Sequence, residues 1–158
     1  MNERKFKNLS TIFIIVFFAS FAGLKIWLSF FWPTADLYLK GEQLIALLAD
    51  NPKHQFKGLG DRNNLGKYDG MLFVYGNKSR LGVVMRDMRF SIDVVWFDDG
   101  KIVDIAPNLS LEPGVSEENL RVYRPRVAAN AFLELPAGWS YAHNLKIPCM
   151  NKIQETGL

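Results

Sequence analysis

Asp93-Val94-Val95-Trp96-Phe97-Asp98-Asp99-Gly100-Lys101-Ile102-Val103-Asp104-Ile105 decides the fold. Two runs rich in β-branched and aromatic residues flank Asp99-Gly100, a dipeptide whose tolerance of positive φ suits a type I′ turn, so the stretch predicts a β-hairpin. The same reading extends in both directions. Upstream, Met71-Leu72-Phe73-Val74-Tyr75 is a buried-strand pattern ended by Gly76-Asn77, with Leu81 to Met85 as its neighbour. Downstream, Ala131 to Leu135 predicts a strand, Ala137 to Asn144 a short helix and Lys146 to Lys152 a closing strand. Pro107 to Arg126 is a polar stretch with little periodicity, long enough for a functional loop or simply a surface excursion.

Nearer the N-terminus, Leu37-Tyr38-Leu39 and Leu44 to Ala49 flank Lys40-Gly41-Glu42, an opening hairpin, although the second segment also fits a short helix by periodicity. Asn51-Pro52 follows as an N-cap with proline at the first helical position, and a short helix to about Gly58 is expected. These elements predict an α+β, β-rich domain: a compact, mainly antiparallel sheet or partly closed barrel with short helices.

What precedes Pro33 is different in kind. Leu9 to Leu24 is almost unbroken apolar sequence, and after Lys25 it resumes as Ile26-Trp27-Leu28-Ser29-Phe30-Phe31-Trp32. About 20 helical residues cross the hydrocarbon core of a bilayer, and Lys25 can snorkel its amine to the interface. Arg4, Lys5 and Lys7 crowd the N-terminal flank, which predicts a cytoplasmic residue 1–8 segment, a transmembrane signal-anchor over 9–32 and an extracytoplasmic domain over 33–158. A signal peptide cleaved after Ala22 is the rival, with small residues at Ser20 and Ala22. The expected partners are therefore the lipid bilayer, through this helix, and an envelope protein or small polar ligand.

The formal charge of +3 belongs to that anchor. From Pro33 onward acidic and basic residues balance, which argues against nucleic acid, since phosphate binding needs a concentrated positive field. Cys149 is the sole cysteine, so no internal disulfide or cysteine-rich zinc site can form. His54 and His143 lack an H-E-x-x-H partner, no serine sits in G-x-S-x-G, and no glycine-rich loop ends in Gly-Lys-Ser/Thr. No cofactor and no metal are expected.

Gly58-Leu59-Gly60-Asp61-Arg62 before Asp69-Gly70-Met71-Leu72-Phe73, then Met85-Arg86-Asp87 leading to Ile92 through Asp98, then Leu133-Glu134-Leu135-Pro136-Ala137-Gly138 resemble, in order and spacing, the domain of unknown function 192 family. The resemblance runs from about Leu37 to Ile147. It departs from the family pattern at Gly60, Asp87, Ser91 and Pro148-Cys149, where the family favours Met, Asn, Pro and Gly-Asp. It implies antiparallel strands with short helices in an exported or tethered protein, and no established activity.

The charged residues embedded in these motifs are Arg62, Asp69, Arg86, Asp87 and Asp93. Two arginines can clamp a carboxylate or phosphate while aspartates orient hydroxyls or act as bases, so the five are candidates for one polar cluster. The same residues also serve as structural ion pairs and turn acceptors. Trp139 and Tyr141, beside His143, can stack a planar ligand, but aromatic residues beside a strand more often pack the core. The function expected is that of a non-catalytic binding or accessory module of the cell envelope, and the alternative is an envelope enzyme acting on carbohydrate or peptide through the Arg/Asp cluster.

Overall fold

The computed structural model describes residues 12–24 and 32–147, in two units divided at Trp32. In the first unit residues 12–24 form helix α1, whose ring faces meet where Phe17 stacks on Phe21. No helix among the described residues is long and apolar enough to cross a membrane. The expected anchor over 9–32 extends past α1 on both sides, into residues outside the described ones, as do the 1–8 flank, Cys149 and most of the expected closing strand.

The second unit is built on one mixed sheet of six strands. Strands β1 (Thr34–Leu39) and β2 (Glu42–Ala49) form the opening hairpin, turning at Lys40 and Gly41, which both take the positive φ of a type I′ turn. Asn51 then caps α2 (Pro52–Lys57) by accepting from the His54 amide, and Gly58 ends the helix at φ +51°. Helix α2 and the loop after it supply the crossover that a parallel pairing needs, and β3 (Gly70–Ser79) runs parallel to β2.

The hairpin predicted around Asp99-Gly100 is β4 (Ile92–Asp98) and β5 (Lys101–Leu109), with φ of +47° and +77° at the turn. The polar stretch that follows contains a single turn of 3₁₀ helix, η1 (Glu117–Asn119). Strand β6 (Ala129–Pro136) inserts between β3 and β4, antiparallel to both, before the short α3 (Trp139–Ala142). The order is β1-β2-β3-β6-β4-β5, so the sheet is open and the barrel alternative is not adopted.

Three expectations change. The β3 strand continues through Gly76-Asn77, because a register shift between Val74 and Ser79 absorbs the turn-prone residues instead of ending the pairing. Leu81 to Met85 joins no strand, touching the rest of the backbone ladder only through the Val83–Tyr123 bridge. It crosses the sheet face as a cover, burying Leu81, Val83 and Met85. Residues 145–147, where the closing strand would begin, are not extended into the sheet.

Both faces of the sheet are covered, which explains why five consecutive residues of β4, Ile92 to Trp96, are buried. On one face Leu39, Leu44, Ala46, Val95, Leu133, Leu135 and Leu145 form a core with Trp139 of α3 packed against it. On the other, Met71, Phe73, Val94, Trp96 and Phe132 lie beneath the Leu81–Met85 segment, anchored by the Trp96 indole N–H donating to the Leu81 carbonyl.

Candidate functional site

Strand β6 carries the residue of most chemical interest, Glu134. Its register places it opposite Met71 of β3 and Val94 of β4, on the face that carries Phe132 and Phe73. The side chain is buried, and its Oε2 meets no hydrogen-bond partner among the described residues. Burial pushes the carboxyl up to about 8, so at neutral pH it is a neutral acid presenting both an O–H donor and a carbonyl acceptor.

Glu134 lines a small cavity of about 80 Å³. Phe73 and Phe132, stacked with centroids 4.3 Å apart, wall it together with Leu59, Val83 and Tyr75. Burial raises the Tyr75 phenol, and Glu134 adds in the same direction. The outer wall is formed by Arg86 and Met88, from the segment that crosses the face.

Arg86 and Met88 also line a second, more polar groove of about 230 Å³, completed by Asp87 and by Glu112, Gly114, Val115 and Glu117 from the loop between β5 and β6. The Arg86 guanidinium is fixed from three sides. Nη1 donates to Glu117 Oε1 at 2.7 Å, Nη2 donates to the Phe56 carbonyl, and the plane lies 3.9 Å from the Phe56 ring centroid. Glu112 accepts from the Arg121 amide through Oε2, while its Oε1 is buried without a hydrogen-bond partner among the described residues. One guanidinium among Asp87, Glu112 and Glu117 leaves the groove net negative. Such a groove repels anions and suits hydroxyl donors.

Of the five charged residues singled out in the motifs, Arg86 and Asp87 come together here. Asp87 sits at φ +54°, its carbonyl accepting from the Asp61 amide, which brings the loop after α2 against the groove. Arg62 is half-buried in that loop, where burial lowers its guanidinium from the ordinary value and Tyr68 acts in the opposite sense. Asp69 is exposed and holds β2, accepting from the Ile45 amide at 2.8 Å while its own amide donates to the Ile45 carbonyl. It shares a shallow groove with Tyr68, Phe90 and Trp139.

Asp93 lies on the opposite face of the sheet, fully buried below α3. Its carboxylate accepts from the amides of Asn108, Gly138 and Ser140 and from the Ser140 hydroxyl. Burial acts to raise it, but these four donors prevail and hold it below the usual carboxylate range. This is the turn-acceptor role, and it splices α3 to the β4 strand. Trp139 packs on the core and stacks on His143 at 3.9 Å, whereas Tyr141 is 89% exposed, contrary to the core role expected of it.

Sequence reasoning passed over Glu134, Glu112 and Glu117. Leu133-Glu134-Leu135 alternates as a half-buried strand does, so Glu134 reads as facing solvent. Only the central place of β6 and the covering segment show otherwise. Among the described residues no cluster of His, Cys, Asp and Glu could hold a metal ion.

The family model DUF192, described as Uncharacterized ACR, matches residues 37–149. No curated protein matches the chain. Two solved structures share the fold. One is a Sinorhizobium meliloti protein proposed to be a transcription regulator, 24% identical, with a TM-score of 0.61 over 72% of this chain and 86% of that one. The other is a Novosphingobium aromaticivorans protein of unknown function, 22% identical, with a TM-score of 0.58 over 72% of this chain and 79% of that one.

Proposed function

The chain belongs to the uncharacterised DUF192 family, and from that premise we propose that it is a membrane-tethered, extracytoplasmic module that binds neutral carbohydrate of the cell envelope without transforming it. The tether is the apolar sequence over 9–32 with its basic flank, and the domain from Pro33 onward is the binding part. The observation that carries the binding role is the groove at Arg86. A guanidinium held by Glu117, with Asp87 and Glu112 lining the same groove and one Glu112 oxygen buried without a partner among the described residues, offers acceptors for sugar hydroxyls beside the apolar Met85, Met88, Val115 and Leu120. Binding is favoured over hydrolysis because two of the groove's carboxylates are engaged in holding its walls, Glu117 by the Arg86 guanidinium and Glu112 by the Arg121 amide. Asp93 is spent on four donors on the far face, away from Asp87.

The test is calorimetric titration of the full chain in detergent micelles with neutral envelope-type oligosaccharides. Saturable binding weakened about tenfold or more by Arg86→Ala and by Glu112→Ala supports the reading, since each removes hydrogen-bonding groups that desolvate on binding. Turnover of the oligosaccharide, or absence of binding, overturns it. Membrane fractionation and protease accessibility of the intact chain test the tether separately.

A further inference from the structure

We propose that the cavity behind Arg86 is a subsite for the acetamido group of an N-acetylated amino sugar, with Glu134 as the residue that hydrogen-bonds it. The inference rests on the carbohydrate reading of the adjoining groove and names the sugar class that groove selects.

The geometry comes first. Cavity and groove share Arg86 and Met88 and therefore adjoin; the proposed complex seats the sugar ring in the groove and its substituent in the cavity. The cavity, at about 80 Å³, is much smaller than the groove, at about 230 Å³. It admits the few heavy atoms of an acetamido group.

The chemistry narrows the choice further. Glu134 is only 6% exposed and leaves Oε2 without a partner among the described residues, and an unmade hydrogen bond at a buried group costs enough that a ligand atom supplying it gains affinity. A carboxyl that stays protonated offers one donor and one acceptor side by side, which complements the carbonyl and N–H of an amide. The methyl group then lies against the stacked Phe73 and Phe132 rings. Lys57 of α2 and Arg86 line the same cavity, so a free ammonium group at that sugar carbon meets like charge and is disfavoured.

The experiment compares three oligosaccharides of equal length and linkage, built from N-acetylglucosamine, glucose or glucosamine, titrated into the full chain in micelles. At neutral pH the acetylated oligomer is expected to bind about tenfold or more tightly than the other two. Glu134→Leu should abolish that preference by lowering affinity for the acetylated oligomer to that for the glucose oligomer. Glu134→Gln, which keeps a donor and an acceptor, should retain it. Raising the pH from about 6 to about 9 should erode the wild-type preference as Glu134 ionises and leave that of Glu134→Gln flat. The groups facing Glu134 in this range are Lys57 from α2, Tyr75 from β3 and Arg86 from the covering segment, all shared by wild type and variant. Equal affinities for the acetylated and glucose oligomers, or a preference that survives Glu134→Leu, overturn the subsite and assign the cavity to ordered water. Failure of every oligosaccharide to bind overturns the carbohydrate reading and the subsite with it. If Glu134→Leu does not fold, the pH profiles of wild type and Glu134→Gln decide.

Discussion

Replacing Glu134 by Gln should change how stability depends on pH more than it changes stability itself. The wild-type carboxyl is raised from an ordinary 4.5 to about 8 by burial. Above pH 4.5 the unfolded chain has released this proton while the folded chain still holds it, so folding becomes less favourable as pH rises. The contribution is fully present below 4.5 and is lost as pH climbs through about 8. Each pKa unit corresponds to somewhat over 1 kcal/mol, so from pH 5 to pH 7 the wild type loses on the order of 2–3 kcal/mol through this group alone. Domain stabilities are typically about 5–15 kcal/mol, so the loss is measurable. Glutamine carries no such proton. Its buried amide adds a constant offset, and comparing variant with wild type at each pH cancels every shared titration. Urea denaturation of both proteins in micelles at several pH values between about 5 and 8 should show the variant gaining on the wild type steadily as pH rises. Parallel profiles would mean that Glu134 ionises in the folded chain at an ordinary pH, and both its neutrality and the amide complementarity built on it would fall.

Other outcomes follow from the same geometry. Asp93→Ala strands the amides of Asn108, Gly138 and Ser140 below α3 and should cost about 3 kcal/mol or more in urea denaturation; a loss under about 1 kcal/mol would show that water replaces the carboxylate. Because the Asp93 carboxyl is held below its ordinary value of 3.8, its contribution is present above that pH and lost as pH falls through the folded value, so Asp93→Asn should flatten the acid limb of the stability profile. Gly100→Val places a β-branched residue at φ +77° in the β4–β5 turn and should lower stability by about 1 kcal/mol or more, with an unchanged midpoint counting against the turn. Mass spectrometry of the membrane-extracted chain should find the N-terminus intact, and a start at Gly23 would defeat the anchor.

The hairpins were legible because turn chemistry is local: Asp99-Gly100 and Lys40-Gly41 determine pairing within a few residues. The cap at Asn51-Pro52 was legible for the same reason. Leu81 to Met85 misled because a strand and a buried covering segment make the same demand for apolar side chains, and only tertiary placement separates them. At the site, Arg86 and Asp87 stood out as charges inside apolar motifs, and the structure brings them to one groove. Glu112 and Glu117 gave no signal within a polar loop. Glu134 was hidden by its own alternation, since a pattern of period two cannot reveal that the second face of a strand is covered as well.

The position of β6 bears on how the chain is made. Synthesis delivers β1 to β3 and then the β4–β5 hairpin, yet the strand that joins them is the last of the six. Until residues near Pro136 have left the ribosome, β3 and β4 each hold a bare row of amides and carbonyls along apolar segments, the kind of edge that recruits other chains. Closure of the six-stranded sheet therefore waits for synthesis of its last strand, and until then both halves carry an unpaired edge.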